Sequence, residues 1–275
     1  MTSTASSTAS STAGSTVTSA DGTSIAYTKT GDGPAVIIVD GALCHRAFGP
    51  SGGIAEQLAP EFTVYTYDRR GRGESGDADT YSPEREVEDI AALIQAAGGQ
   101  ARLAGFSSGG ALTLRAAAAG IGVTKAACYE APYVTQDWHR DAALAYTTDL
   151  HQALDAGRID DMPALFMALV GMPEDQVAGM RQSPVWQAFT AVAKSLTYDN
   201  AVLGYPAGGA VPTELLATIT VPVLAMDGGA SPDLLRDPAG IIAGACPDAE
   251  RLTLEGQTHE VSPDVVGPVL AKFFA

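Results

Sequence analysis

The sequence predicts an α/β protein, with a mostly parallel, doubly wound sheet and an inserted helical segment. Short β-rich apolar runs alternate with helical stretches along most of the 275 residues. One strand leads directly into a helix through a tight Gly-x-Ser-x-Gly turn, and the alternation is interrupted once before it resumes. Apolar strands separated by helices are typical of a parallel sheet that helices cover on both faces.

The first half of the chain contains most of the predicted sheet. Each predicted strand is a short β-rich run closed by Gly, Asp or Pro, and each predicted helix repeats apolar residues at helical spacing. The strands lie at 23–28, Ala35–Val39, 62–67, the apolar run that follows residue 100, and Val123–Tyr129. The helices lie at 54–58, 84–97 and 108–119. Ligands of such a sheet collect at the carboxyl ends of its strands.

The interruption is interpreted as a helical lid over residues 135–215. This segment is rich in Trp, Phe, Tyr and Met at helical spacing, which usually form a small core and can also line a hydrophobic pocket. Strands at 221–226 and 251–254 and a helix at 262–274 then complete the sheet domain. That domain therefore comprises residues 20–134 and 216–275.

The first 19 residues predict a disordered tail outside the fold. They are mostly Ser, Thr and Ala and contain no charged or aromatic side chain, so they cannot bury enough apolar surface to offset the entropy of ordering. Neither a secretory signal nor an apolar run of membrane-spanning length is visible. The three cysteines lie far apart, which fits reduced thiols in the cytoplasm better than a disulfide framework.

The charge balance excludes two classes of partner. Thirty-two acidic residues against sixteen basic ones give a net charge of −16, which repels nucleic-acid phosphates and anionic lipid surfaces. We expect a small-molecule substrate, no nucleic acid and no membrane, and the sequence leaves the oligomeric state open. No Gly-x-Gly-x-x-Gly fingerprint precedes a helix, and no His, Cys or carboxylate group has metal-ligand spacing. Neither a cofactor nor a metal is therefore expected.

Ser107 is the candidate nucleophile. It lies at the centre of Gly-Phe-Ser-Ser-Gly, between an apolar strand and an Ala-rich helix. A serine on such a turn adopts strained backbone angles, and the flanking glycines make room for the chain reversal. Gly-Pro-Ser-Gly-Gly around Ser51 satisfies the same pattern, but no strand leads into it, so we interpret Ser51 as a loop residue.

His259 is the candidate base, because a serine hydroxyl needs a neighbouring group to remove its proton. It lies in a loop between the last strand and the last helix, which opens at the same edge of the sheet as Ser107. His139 and His151 fall in the predicted lid helices, where packing or surface roles are commoner. His45 lies in a loop near the expected pocket mouth.

Three carboxylates could orient the imidazole and stabilise its positive form. Glu130 directly follows the strand Val123–Tyr129, whereas Asp227 and Asp233 flank Gly-Gly-Ala-Ser-Pro after the next strand. The residues alone leave this choice open.

The combined motifs resemble the α/β-hydrolase-fold superfamily, of the serine hydrolase type with a helical lid. The stretch from Asp68 to Ser75, Asp-Arg-Arg-Gly-Arg-Gly-Glu-Ser, is similar to the family's Asp-x-Arg-Gly-x-Gly-x-Ser turn. The order nucleophile, acid, histidine also matches. The resemblance covers about residues 20–132 and 216–275 and implies oxyanion-hole N–H donors at Ala42 and Ser108.

Two departures from the family pattern affect the site. Ser231 stands where the family commonly has its acid, and some relatives carry a Glu where Glu130 stands, so Glu130 is the favoured acid and Asp227 the alternative. The loop after Val39 begins with Asp40 where the family often has His. Asp40 is expected to bond within its loop, and the arginines at 69, 70 and 72 to organise that loop.

These features together predict a cofactor-independent serine hydrolase. It would cleave an ester, lactone or related acyl bond of a small to medium hydrophobic substrate. Perhydrolase, haloperoxidase-like or lyase chemistry on the same three groups remains an alternative. A non-catalytic ligand sensor on the same scaffold is another, since fold does not dictate function.

Overall fold

The computed structural model describes residues 14–275, which form one eight-stranded sheet with helices on both faces. The strand order is β1-β2-β4-β3-β5-β6-β7-β8. Strands β1 and β2 run antiparallel to their neighbours, and the other pairs are parallel. The strands are β1 Ser15–Thr18, β2 Ser24–Thr30, β3 Ala35–Val39, β4 Thr63–Tyr67, β5 Ala101–Phe106, β6 Val123–Tyr129, β7 Val223–Gly228 and β8 Ala249–Leu254. The predicted fold class is confirmed.

The helices follow the strands as the alternating pattern predicts. Those beside the sheet are α1 Ser51–Leu58, α2 Pro83–Ala96, α3 Ser108–Ala118, α10 Asp233–Ala245 and α11 Pro263–Phe274. Between β6 and β7 lie α4 Asp137–Asp155, α5 Met162–Leu169, α6 Glu174–Met180, α7 Val185–Val192, α8 Leu196–Val202 and α9 Thr213–Leu216. We call this second group, residues 137–216, the helical insertion.

The side-chain alternation of β3 divides the core into two layers. Val36 and Ile38 pack on one face of the sheet, against apolar residues of α1 and α11. Ile37 and Val39 pack on the other face, with α2, α3 and parts of the helical insertion. Because successive side chains of a strand point to opposite faces, one buried apolar run supplies both layers.

The helical insertion shares the main core and also has a small cluster of its own. Tyr146 and Leu196 belong to the layer that covers the sheet. Met167, Val177 and Trp186 form a separate buried cluster. The insertion is therefore anchored to the sheet at one side and packs on itself at the other.

The predicted tail at residues 1–19 is too long. Ser15–Thr18 form β1, which pairs antiparallel with β2 from Ser15 opposite Tyr27 to Thr18 opposite Ser24. Ser19 is buried as well. An edge strand gains its backbone hydrogen bonds from the strand beside it, so it forms here without a strongly apolar sequence. Residues 1–13 of the predicted tail lie outside the described residues.

Two further features of the fold concern helices. Helix α10, which the apolar spacing of the sequence did not predict, contains Pro238 in its interior. Ser51, predicted to lie in a loop, is the first residue of α1. Across residues 14–275, none of the helices combines the length and the apolarity that crossing a bilayer requires.

Candidate active site

Ser107 lies on the sharp turn between β5 and α3, as predicted. Its backbone has φ 55° and ψ −128°, a combination that L-residues rarely adopt. In residues 14–275, three residues other than glycine have positive φ: Leu43, Ser107 and Glu130. All three lie at the carboxyl edge of the sheet, and strained backbone of this kind clusters at functional sites.

Glycines let three chain segments meet around Ser107. A Cβ at Gly105 would lie 2.2 Å from the carbonyl oxygen of Gly109, and one at Gly109 would lie 2.1 Å from that of Val39. A Cβ at Gly41 would lie 2.9 Å from Ser107 Cβ. The Gly-x-Ser-x-Gly pattern is thus a packing requirement here, and the loop after β3 lies directly against the serine.

His259 is hydrogen bonded to Glu130. Its Nδ1 lies 2.7 Å from Glu130 Oε2, and the other carboxylate oxygen accepts a bond of 2.8 Å from the backbone N–H of Gly228. The Glu130 side chain is fully buried, whereas that of His259 is 39% exposed. Because a carboxylate oxygen accepts, this bond places a proton on Nδ1 and leaves Nε2 as the basic nitrogen.

The two alternative carboxylates lie away from His259. Asp227 is buried within β7, where it accepts bonds from Arg251 Nε at 2.8 Å and Thr253 Oγ1 at 3.0 Å. Asp233 is exposed at the first position of α10. Of the three candidates, Glu130 is the one that the fold brings to the imidazole.

Tyr129, which the sequence analysis did not single out, holds the histidine loop. Its hydroxyl donates to the carbonyl oxygen of Thr258 at 2.5 Å, and the ring is buried. Consecutive residues at the end of β6 therefore fix consecutive residues of the loop, since Glu130 bonds to His259. A tyrosine at the end of an apolar strand was the one feature of the sequence that pointed to this role. Its partner, the Thr258 carbonyl, lies 129 positions further along the chain, so sequence spacing could not identify it.

Ser107 and His259 line one cavity of about 450 Å³. Its other walls come from the loop after β3, the end of β5, α5, the histidine loop and the start of α11: Gly41, Ala42, Cys44, Gly49, Pro50, Phe106, Phe166, Glu260, Val261 and Pro263. No hydrogen bond joins Ser107 Oγ to His259 in the described part of the chain. Catalytic bonds of this type often tighten only when the substrate is bound.

The remaining histidines and Cys44 do not compete for the chemistry. His139 is buried in α4, His151 is exposed further along it, and His45 lies in the tight turn that it forms with Phe48. Cys44 lines the cavity, but burial and the nearby Asp40 raise the pKa of its thiol to about 12. A neutral thiol is a poor nucleophile.

The predicted oxyanion donors lie beside Ser107. Ser108 begins α3, and the first N–H groups of a helix have no intrahelical acceptor. Ala42 follows Gly41, whose backbone touches Ser107, and Ala42 lines the cavity. Both residues therefore lie next to Ser107, Ser108 along the chain and Ala42 through Gly41.

Two of the three arginines organise the loop after β3, as expected. Arg69 donates to the carbonyl oxygen of Asp40 at 3.2 Å, and Arg72 to those of Gly41 and Cys44. Arg70 instead binds Asp89 of α2. Asp199 of α8, which the sequence analysis missed, is the shared carboxylate partner of Arg69 and Arg72.

Asp40 departs from its expected local bonding. Its carboxyl group is buried, and Oδ1 has no hydrogen-bond partner among the described residues. Burial raises the pKa of Asp40 to about 6, although Ser51, Arg72 and Arg69 oppose this shift. The carboxyl group of Asp40, directly after β3, therefore has a pKa raised toward neutral pH.

The fold and this constellation define a class of protein. The chain belongs to the alpha/beta hydrolase family, whose model matches residues 39–269. An alpha/beta hydrolase from Sphaerobacter thermophilus DSM 20745 is 47% identical in sequence, over 95% of this chain and all of that one, with a TM-score of 0.85. The resemblance inferred from the sequence is confirmed. No curated protein matches the chain.

More distant solved structures share the fold alone. A thermophilic esterase from Thermogutta terrifontis is 18% identical over 95% of this chain and 98% of its own, with a TM-score of 0.69. A bromoperoxidase from Bacillus anthracis is 16% identical over the same shares, with a TM-score of 0.68. Because these neighbours differ in their named activities, they do not select a reaction for this chain.

Proposed function

We propose that this protein is a cofactor-independent serine hydrolase that cleaves an ester, lactone or related acyl bond. The observation that carries the proposal is one shared cavity: Ser107 and His259 both line it, and Glu130 binds the histidine from behind. This is the arrangement in which a base activates a hydroxyl while a carboxylate fixes the tautomer of the base.

The reaction would proceed in two halves. Ser107 Oγ attacks the acyl carbon while His259 Nε2 takes its proton, and the N–H groups of Ala42 and Ser108 hold the resulting oxyanion. The tetrahedral intermediate collapses, and the leaving alcohol receives the proton from His259. Water then attacks the acyl-enzyme with His259 again as base, which releases the acid and restores the Ser107 hydroxyl.

Glu130 serves this cycle as the acid that orients His259. When the imidazole becomes positive, Glu130 Oε2 lies 2.7 Å from its Nδ1 and stabilises it electrostatically. The second oxygen is held by the Gly228 N–H, so the carboxylate is fixed at both ends. This double restraint supports Glu130 over Asp227, which has other partners.

The helical insertion would act as the lid that selects the substrate. Phe166 of α5 lines the cavity together with Phe106, Val261 and Pro263. No lysine or arginine is among the described residues that line it, and Glu260 is. We therefore propose a small to medium hydrophobic substrate without negative charge, since a carboxylate would enter without a cation to bind.

A fluorophosphonate probe followed by mass spectrometry tests the proposal. We expect covalent label on Ser107 in the folded wild-type protein and none in Ser107→Ala. Ser51→Ala is the matched control, because Ser51 satisfies the same sequence pattern in α1 but is buried outside the cavity lining, and its labelling should equal that of wild type. An unlabelled wild-type protein would contradict the proposal and favour a ligand sensor.

A panel of esters of equal size tests the substrate class. We expect uncharged hydrophobic acyl groups to have a higher kcat/KM than acyl groups that carry a carboxylate, by about tenfold or more, since an unpaired charge is costly to desolvate. Equal or faster turnover of the anionic or strongly polar esters would contradict a hydrophobic site.

A further inference from the structure

One buried carboxylate of the helical insertion is linked to both sides of the proposed oxyanion hole, to Ser108 directly and to the Gly41–Ala42 peptide through Arg72. Asp199 of α8 is 4% exposed. Its Oδ1 accepts bonds from Ser108 Oγ at 2.7 Å and from Arg69 Nη1 at 2.7 Å. Arg72 Nη2 donates to both of its oxygens at 2.8 Å. The insertion thus reaches residues that lie on two different segments beside Ser107.

The first side of the oxyanion hole depends on Ser108. Its backbone N–H is a proposed donor, and its side chain is buried with the hydroxyl bonded to Asp199. This bond fixes the rotamer of Ser108 and ties the first residue of α3 to α8. Any shift of the carboxylate would therefore be transmitted to the residue that presents the N–H.

The second side depends on the peptide that joins Gly41 to Ala42. Arg72 donates to the carbonyl oxygen of this peptide, and the Ala42 N–H belongs to the same rigid plane. In a trans peptide the C=O and N–H groups point in opposite directions. Because Arg72 holds the Gly41 carbonyl oxygen toward its own buried guanidinium, the N–H of Ala42 points the opposite way.

Asp199 keeps Arg72 in that position. Burial alone would raise the pKa of Asp199, but Arg72 and Arg69 lower it below its usual value, so the carboxylate stays charged. The guanidinium of Arg72 is itself buried, and charge-assisted bonds of this geometry are strong and directional. Without the carboxylate, the buried cation would have to find other acceptors.

We propose that Asp199 is a positioning residue that aligns both N–H donors of the oxyanion hole, one through Ser108 and the other through Arg72. The helical insertion then contributes to the chemical step as well as to the pocket wall. This inference rests on the proposed acyl hydrolysis at Ser107.

The test compares Asp199→Asn with Asp89→Asn, using kcat and KM on an uncharged ester that the wild-type enzyme turns over. Asp89 is the matched control because it is also buried and binds Arg70 of the same turn through both oxygens, but it ties that turn to α2 and not to the loop after β3. We expect Asp199→Asn to lower kcat by about 10- to 100-fold with KM within about threefold, because one oxyanion donor supplies about 10²–10³ in kcat. Asp89→Asn should keep kcat within about threefold of wild type.

A trifluoromethyl ketone gives a readout that a general structural role would not move. Its adduct with the serine carries an oxyanion, so Asp199→Asn should weaken its binding by a factor similar to the loss in kcat. Binding of the free alcohol product should be unchanged. Ser108→Ala keeps the backbone N–H and removes the hydroxyl, with its bond to Asp199 at 2.7 Å and the weaker one that it accepts from Arg69 at 3.3 Å. We expect a smaller loss of kcat, about 3- to 10-fold.

The outcomes separate the inference from the proposed function. Equal effects of Asp199→Asn and Asp89→Asn on kcat, or an effect of Asp199→Asn on KM alone, overturn the positioning role. If Asp199→Asn does not fold, Ser108→Ala decides, and wild-type kcat and ketone affinity in that variant overturn the role. A wild-type protein without Ser107 labelling and without ester turnover overturns the proposed function and the inference together.

Discussion

Glu130 and Asp227 are buried carboxylates at the ends of adjacent strands, and they differ in what binds them. The strands β6 and β7 pair directly, and the backbone N–H of Glu130 donates to the carbonyl of Met226. Glu130 meets the imidazole of His259 and the N–H of Gly228. Asp227 meets two guanidinium groups and a hydroxyl, from Arg251, Arg236 and Thr253.

The difference shows how a fold assigns roles to equivalent groups. Burial of an ionised carboxylate is costly unless it is paired, so both positions need partners. A guanidinium is always charged and gives Asp227 a permanent ion pair. An imidazole can take up and release a proton during a reaction, so its carboxylate partner can stabilise the positive form. The partner therefore distinguishes the structural carboxylate from the proposed catalytic one.

The largest expected effect is that of Glu130→Gln on turnover. The amide cannot balance the positive charge of His259 and does not enforce a proton on Nδ1, so we expect kcat to fall by about 10³–10⁴. Steady-state kinetics on an ester substrate measures this. Asp227→Asn is the control, and it should keep most of the activity. If Asp227→Asn were the variant that lost activity, the two roles would have to be exchanged.

Asp40, directly after β3, is a third buried carboxylate. Unlike Glu130 and Asp227, it has an oxygen, Oδ1, without a hydrogen-bond partner among the described residues. Its pKa of about 6 in the folded protein lies above the ordinary 3.8, so the folded state binds the proton more tightly. The stability from this site is present below about pH 4 and is lost as the pH rises through 6. Asparagine at this position cannot titrate.

We therefore expect Asp40→Asn to gain stability relative to wild type as the pH rises. Between pH 4 and 8 the difference in the free energy of unfolding should move in favour of the variant by about 2 kcal/mol, since each pKa unit corresponds to about 1.4 kcal/mol and part of the change falls below pH 4. Urea unfolding at a series of pH values measures it. A difference that stays constant over this range would contradict a raised pKa at Asp40.

The next effect concerns the stability that Asp227 provides. Asp227→Asn weakens its bonds with Arg251, Arg236 and Thr253, and we expect a loss of about 1–3 kcal/mol in the free energy of unfolding. Thermal or urea unfolding at pH 7 measures this loss. Glu130→Gln should be less destabilising, because no arginine of the described residues pairs with Glu130 and would be left unpaired. A larger loss of stability for Glu130→Gln would erase the distinction between the two carboxylates.

The smallest expected effect is on the histidine loop. Tyr129→Phe removes the bond to the Thr258 carbonyl, and because a single neutral hydrogen bond contributes about 1 kcal/mol, kcat should fall by about tenfold at most. KM should change little. Tyr133→Phe is the matched control, since the Tyr133 hydroxyl is equally buried but has no hydrogen-bond partner within residues 14–275. Identical kinetics in the two variants would show that Tyr129 does not position His259.

Much of the site was predictable because its residues lie in short motifs or at strand ends. Ser107 stands in a pattern that specifies its own strand-turn-helix context, and His259 lies in a loop at the same sheet edge. The choice of Glu130 needed the family resemblance, because composition and spacing do not tell which carboxylate meets the imidazole.

The parts that sequence analysis missed depend on contacts between distant segments. Asp199 lies 91 positions after Ser108, in the short helix α8. The sequence of this helix contains no motif that points to the active site. Strand β1 has no strongly apolar sequence that would predict it, and it forms because β2 supplies its backbone hydrogen bonds. Helix α10 contains Pro238 in its interior, which lowers the helical signal of the whole segment.

The pairing of β1 with β2 sets a boundary for shortening the chain. A truncated version that starts before Ser15 keeps every described backbone bond of this pair, whereas one that starts at Ala20 makes the seven-residue β2 the edge strand in place of the four-residue β1. Free N–H and C=O groups along an edge recruit strands from other molecules. The shorter version should therefore aggregate more readily, although it removes no residue near the cavity.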